Sequence, residues 1–339
     1  MTGPCLVSVV IPTYRRRASV QRALEALAQQ TLSPSTFEVV VAIDGSDDGT
    51  REMVSEFSAP FALRALWQPN RGRASACNAG INAARGELLV LLDDDMEASP
   101  GFLAAHVATH PAGSRRGIMG AAPIAVGPAS PPVVAYVGAK FNRHLEQLAR
   151  PGYRRQVRDF YSGNFSIRRD VLLEVGAFDE DFTVYGNEDV ELSLRLTAAG
   201  VDLAYHAGAL AHQHYTKDFE GLARDTIAKG RTAVLLARKH PEVSPALRLS
   251  AYREGSRRWR FLRAVLLHLG WAWPGTATWT LRAVALLERF GSRRLDLAYT
   301  LVLDYCFWLG ARSALRQRQL TDDRLREPFE LVGNERSEP

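Results

Sequence analysis

The sequence predicts a doubly wound α/β domain with a mostly parallel sheet and helices on both faces, followed by a C-terminal helical appendage. Three observations carry this. Residues 6–12, Leu-Val-Ser-Val-Val-Ile-Pro, form one continuous apolar run, the pattern of a parallel strand covered on both faces. Strand-like and helix-like segments then alternate: helix over 19–30, strand over 38–43, helix from about 50, short strand over 63–67, helix over 74–84, strand over 87–92. That spacing implies right-handed crossovers, with ligands at the carboxyl ends of the strands. Finally, 339 residues at 46% hydrophobic and 23% charged composition suffice for one large domain and an appendage.

Beyond Asp95 the alternation stops. Residues 121–132 hold four prolines and read as a loop crossing the open edge of the site. A helix over 133–150, a second half over 161–215 and a helix over 219–239 ending at His240-Pro241 follow, so the expected division is 1–240 and 241–339. Residues 264–281 are 18 positions without Asp, Glu, Lys or Arg, the minimum for a membrane span. Gly270, Pro274 and Gly275 interrupt them, which favours two shorter interfacial helices, and the next apolar run, 295–311, contains Asp304.

Charge is uneven. Between Lys229 and Arg326, 19 basic and 7 acidic residues leave +12, whereas residues 1–228 carry −4. Trp259, Trp271, Trp273, Trp279 and Trp308 lie in that basic third among leucines, outside any nucleic-acid module. The expected partner is therefore an anionic membrane surface rather than nucleic acid, with packing on the catalytic domain or a second subunit as alternatives. Cys5, Cys77 and Cys306 are too few for a disulfide framework. With no signal-peptide pattern at Met1–Pro4, a cytoplasmic protein, peripheral at the inner face of the membrane, is expected.

Four clusters carry chemistry. Asp44-Gly45-Ser46-Asp47-Asp48-Gly49-Thr50 closes the second strand, where a carboxylate can accept from a base or ribose, or merely cap a turn. Asp93-Asp94-Asp95 ends an apolar strand. Three adjacent carboxylates repel unless a cation or water serves them, and Mg²⁺ and Mn²⁺ prefer oxygen ligands. Strand alternation would put Asp93 and Asp95 on one side. Glu188-Asp189 opens a helical pattern, where the helix dipole favours ionised carboxylate. His212-Gln213-His214 falls in an expected loop after a strand over 202–207, and an imidazole beside carboxylates would suit Mn²⁺.

In this order the clusters resemble an inverting family 2 glycosyltransferase of the GT-A fold, in the nucleotide-diphospho-sugar transferase superfamily. The resemblance covers roughly residues 5–240. It rests on Ser8-Val-Val-Ile-Pro-Thr-Tyr14, the Asp44–Thr50 turn, Asn70-Arg-Gly72 through Asn78-Ala-Gly80, Gly86-Glu87 leading to Asp93-Asp94-Asp95, Gly163-Asn164-Phe-Ser-Ile-Arg-Arg169, Gly176-Ala-Phe-Asp-Glu180, and Glu188-Asp189 with Leu192 and Arg195. It implies transfer from a nucleotide-sugar donor, a UDP-sugar first, to an acceptor hydroxyl on a glycan or lipid-linked acceptor. Pro12, Thr13, Tyr14, Asp44, Asn78, Asp93, Asp94 and Arg231 would bind the donor. Asp95 and Asp93, with His212 or His214, would hold Mn²⁺ or Mg²⁺, and Asp189 beside Glu188 would be the general base. Ile43, Cys77 and Met96 stand where the family more often has an acid, an arginine and a fourth acid. A metal-dependent nucleotidyltransferase and a catalytically silent membrane scaffold are the rival readings.

Overall fold

The computed structural model describes residues 6–247, 249, 252, 254–273 and 275–316. Met1–Cys5, Pro274 and Arg326, which enter the sequence reading, lie outside the described residues. The strands are β1 (Val7–Thr13), β2 (Phe37–Asp44), β3 (Ala62–Gln68), β4 (Leu88–Leu92), β5 (Met96–Ala98), β6 (Arg116–Gly120), β7 (Asn164–Arg168), β8 (Asp202–His206) and β9 (Ala211–Gln213). Seven of them form one sheet in the order β3-β2-β1-β4-β7-β6-β8, and β5 pairs with β9. The sheet is parallel except for β7, which runs antiparallel to both β4 and β6. That reversal marks where the regular alternation of the first half ends.

Helices cover both faces, as the apolar runs require. Val7, Val9 and Ile11 of β1 and Leu88, Val90 and Leu92 of β4 pack against α1 (Arg17–Leu27), α2 (Thr50–Glu56) and α4 (Phe102–Ala108). The intervening Val10, Leu89 and Leu91 pack against α3 (Arg73–Ala83), α6 (Arg169–Val175) and α7 (Glu188–Ala198). All nine of these strand residues are at most 5% exposed, so each strand is apolar on both sides because neither face meets water. Ser8 departs from that rule: its hydroxyl donates to buried Glu38 at 2.7 Å and accepts from Gly86 N–H at 2.8 Å, tying β1 to β2 and to the turn before β4.

A third apolar cluster joins α5 (Pro132–Leu148) and α8 (Phe219–Lys239) to α9 (Arg257–Ala272), α10 (Thr276–Arg289) and α11 (Leu295–Arg316). Asp218 caps α8, accepting from Gly221 N–H at 2.8 Å, and the helix stops before Pro241. α11 lies directly on α8. A Cβ on Gly230 would stand 2.0 Å from the Phe307 carbonyl oxygen, and one on Gly310 2.0 Å from that of Ile227, so only glycine permits the crossing. The expected break into two helices falls between Ala272 and Thr276, at Gly275, while Gly270 lies inside α9. No helix among the described residues is long and apolar enough to cross a membrane.

Candidate active site

A cleft of about 790 Å³ opens over the carboxyl ends of β1, β2 and β4, between these ends and the α7 N-terminus. Its volume is that of a small-molecule site. One wall is acidic. β4 stops at Leu92 and the chain turns, Met96 N–H donating to the Asp93 carbonyl at 3.1 Å. Strand alternation therefore does not apply to the three aspartates, all of which line the cleft. Arg16 bridges two of them, its Nη1 donating to Asp94 Oδ1 at 3.0 Å and to Asp95 Oδ2 at 3.1 Å. Thr13 adds its hydroxyl to Asp94 Oδ2 at 2.7 Å. Burial pushes the Asp94 carboxyl up to about 6 against the pull of Arg16, and burial with the charge of Asp93 raises Asp95.

Asp93 turns instead to Arg73, whose Nη2 donates to its Oδ1 at 2.7 Å. The close approach of Gly163 makes this possible: a Cβ there would lie 2.3 Å from Asp93 Oδ2. Asn164, next in that motif, donates to the Ala121 and Ala209 carbonyls at 2.9 and 3.0 Å and bonds His106 Nε2 at 2.9 Å, fixing the loops behind the cleft. Burial holds His106 down at about 3, so it remains a neutral structural side chain.

Opposite, α7 starts after Asn187, held in the left-handed region at φ 65°. Glu188 is buried and accepts from Gly186 N–H at 2.8 Å. Asp189 uses Oδ1 to accept from Val190 N–H at 2.8 Å, and its other oxygen has no partner among the described residues. Both carboxyls are raised by burial, Glu188 also by the charge of Asp189, while Arg73 pulls both down. Glu191 and Arg195 clamp the helix from behind. Arg195 donates to Glu191 Oε2 at 2.7 Å and to the Val175 and Ala177 carbonyls, which shapes the Gly176–Glu180 loop.

Of the other expected donor and metal residues, some line the cleft and some do not. Pro12, Thr13, Tyr14 and Asp44 do line the cleft. Asp44 already accepts from Gln68 Nε2 at 2.8 Å and from the Arg71 and Gly72 N–H groups at 2.9 Å each, so it builds the 69–72 turn as well as facing the cavity. Asn78 is not a lining residue: its amide exchanges two hydrogen bonds of 2.9 Å with the Phe178 backbone. Arg231 points away, donating to Ser313 of α11 at 3.2 Å, whereas Lys229, two positions earlier and on the other side of α8, lines the cleft. His212 and His214 also point away. They belong to β9 and its end rather than a loop, and alternation aims Gln213 at Asp95, at 3.4 Å. His214 pairs with Glu97 at 2.6 Å, and His212 is exposed.

Residues the sequence reading missed complete the cleft: Arg16, Arg73, Gln213, Lys217, Lys229 and Tyr185. The Tyr185 ring has the Lys217 and Lys229 ammonium groups 4.8 and 5.1 Å from its centroid. Among the described residues no three His, Cys, Asp or Glu side chains are gathered as a metal cluster. The oxygen donors of Asp94 and Asp95 nonetheless suit a hard divalent cation whose remaining positions go to water or diphosphate oxygens.

A nucleotide-sized cleft over the ends of parallel strands, closed by an acidic turn and a helix-borne carboxylate pair, defines a GT-A-fold protein. The family description "Glycosyl transferase family 2" matches residues 8–176, and "N-terminal domain of galactosyltransferase" matches 143–217. The chain belongs to glycosyltransferase family 2. It is 33% identical over 223 residues to a validoxylamine A glucosyltransferase of Streptomyces hygroscopicus subsp. limoneus, covering 58% of this chain and 49% of that protein. The chain thus spans about half the length of the curated relatives it matches. In fold it is similar to the mannosyltransferase PcManGT of Pyrobaculum calidifontis, solved with GDP-Man and Mn²⁺, at TM-score 0.59 and 20% identity over 92% of this chain and 88% of that one. It is also similar to S. aureus TarS 1-349 with UDP-GlcNAc, at TM-score 0.50 and 15% identity over 93% of each chain.

Proposed function

We propose that this chain transfers a sugar from a nucleoside diphosphate donor, a UDP-sugar, to an acceptor hydroxyl with inversion. The observation that carries the reading is the Asp189 carboxylate, with one oxygen free, facing the aspartate turn across a single cleft. The donor nucleotide lies along the ends of β1, β2 and β4, with its sugar toward α7. Asp189 accepts the proton of the attacking hydroxyl as the new C–O bond forms, and the bond to the diphosphate breaks with its electron pair leaving on the phosphate oxygen. Arg73 keeps Asp93 and Glu188 in register on the two walls, and Lys229 adds positive charge on the leaving-group side. A divalent cation held through Asp95 and Asp94 would neutralise charge on the departing diphosphate. Incubating the purified protein with UDP- and GDP-sugars and Mn²⁺ should release nucleoside diphosphate fastest from a UDP-sugar. Release of sugar 1-phosphate instead would favour nucleotidyl transfer, and release of neither would leave a silent scaffold.

A second reading concerns the acceptor. Trp273, Trp279, Leu286 and Phe290 are 73%, 68%, 54% and 74% exposed along α10 and its start, and Phe261 on α9 is 68% exposed. Exposed Arg257, Arg258, Arg260, Arg282, Arg289, Arg293 and Arg294 flank them. Apolar side chains rimmed by guanidinium groups suit a bilayer surface carrying anionic lipid, which would bring a lipid-linked acceptor to the cleft. Truncating the chain before α9 would also strip Tyr299, Tyr305 and Phe307 of α11 from the core they share with α8, so the test uses surface substitutions. The protein should co-sediment with phosphatidylserine vesicles at low salt, and both high salt and the Trp273→Ser, Trp279→Ser, Phe290→Ser combination should weaken this severalfold. Protein that stays in the supernatant at low salt would leave a second subunit as the occupant of this face.

A further inference from the structure

We propose that Arg16 is a resident counter-ion for the paired carboxylates Asp94 and Asp95, which an incoming divalent cation must displace, so that metal binding by this chain is an exchange of one cation for another. The inference rests on the metal reading above and adds a role for a residue that reading does not use.

One nitrogen, Nη1, bonds both carboxylates, at 3.0 and 3.1 Å. The two aspartates are 7% and 8% exposed, so water serves them poorly and they need a cation beside them in every state of the protein. Asp94 Oδ2 is occupied by the Thr13 hydroxyl, and Asp95 Oδ2 is the oxygen Arg16 holds. A divalent ion bound to Asp95 would share that oxygen with a guanidinium of like charge. The two cations exclude each other there.

The backbone around Arg16 fixes its root and leaves its tip to move. Arg15 stands at φ 52°, a left-handed conformation that a side-chain-bearing residue seldom adopts. Arg15 N–H donates to Ser46 Oγ at 2.8 Å, and Arg17 N–H to Asp48 Oδ2 at 3.1 Å. Both neighbours of Arg16 are thereby pinned to the loop after β2, which throws the Arg16 side chain inward over the aspartates. Its side chain keeps 25% exposure and lines the cleft, so once released it remains within the cavity where a diphosphate would lie. Arg16 is then a positioning residue: it keeps the acidic turn folded without metal and turns to the phosphates when metal arrives.

The test is Mn²⁺ binding to the full chain without nucleotide, by titration calorimetry and by the electron paramagnetic resonance signal of free Mn²⁺. Arg16→Gln should bind Mn²⁺ at least tenfold more tightly than the parent, because no resident charge has to leave. In the presence of Mn²⁺ the same variant should bind UDP more weakly. Equal or weaker Mn²⁺ affinity in the variant overturns the exchange. Absence of Mn²⁺ binding in parent and variant alike overturns the metal reading itself, a separate result. A measurement on the unmodified sequence serves if the variant does not fold: phenylglyoxal labelling read by peptide mass spectrometry should rise at Arg16 when Mn²⁺ is added, and unchanged labelling refutes the displacement.

Discussion

Asp189→Asn is expected to leave donor binding intact and to lower sugar transfer by about 10² to 10⁴-fold, the range attributed to a general base. Asparagine keeps the volume and can still accept from Val190 N–H as Asp189 Oδ1 does, so α7 should start in the same place. What disappears is the basic oxygen facing the cleft. The pH dependence gives a second, independent signature. Burial raises the Asp189 carboxyl above the ordinary aspartate value of about 3.9, so protonation removes the base at a higher pH than for a surface aspartate. The parent should therefore lose activity on the acid side above that value, and the variant should lack this limb. Donor affinity measured by calorimetry is the control: if it collapses along with the rate, Asp189 binds donor and is not the base.

How far the sequence alone reaches is visible in which of these residues it assigns. Asp189 and the aspartate turn are legible because acids at the end of an apolar strand or the start of an apolar-periodic helix have few reasons to be there. The first-half sheet is legible too, since a strand buried on both faces writes itself as an unbroken apolar run. The antiparallel course of β7 is not, because direction depends on partners far along the chain. Facing is the other blind spot. Arg231 and Lys229 differ by two positions, about 200° around a helix, and only the packing of α8 on α11 decides which reaches the cleft. His212 and His214 are lost to the same ambiguity on β9: a three-residue strand carries too short a pattern to reveal that Gln213 is the inward residue. Nothing local singles out Arg16 and Arg73, because the carboxylates that hold them are brought in from 78 and 20 positions away.

Asp95→Ala is expected to abolish metal-dependent turnover while the domain remains folded, and the reason lies in the energetics of the acidic turn. Asp94 and Asp95 are buried together, and each is raised from the ordinary aspartate range by desolvation. A carboxyl whose pKa is higher in the folded protein than in the unfolded chain binds protons more tightly when folded. Its contribution to stability is therefore greatest below the unfolded value and declines as pH rises through the folded one, about 6 for Asp94. At neutral pH the pair opposes folding, and Arg16 only partly offsets this. Removing Asp95 leaves Arg16 bonded to Asp94, a matched pair, so the melting temperature at pH 7.5 should hold or rise. The catalytic consequence runs the other way. A cation that neutralises a leaving diphosphate contributes several kcal/mol to the transition state, about a thousandfold in rate or more. Nucleoside diphosphate release from the donor in Mn²⁺ should fall by that factor in the variant, to the level the parent shows in excess chelator. A parent enzyme fully active in chelator, or a variant still stimulated by Mn²⁺ like the parent, would remove Asp95 from the metal's ligands and leave Arg16 as the permanent cation of the site.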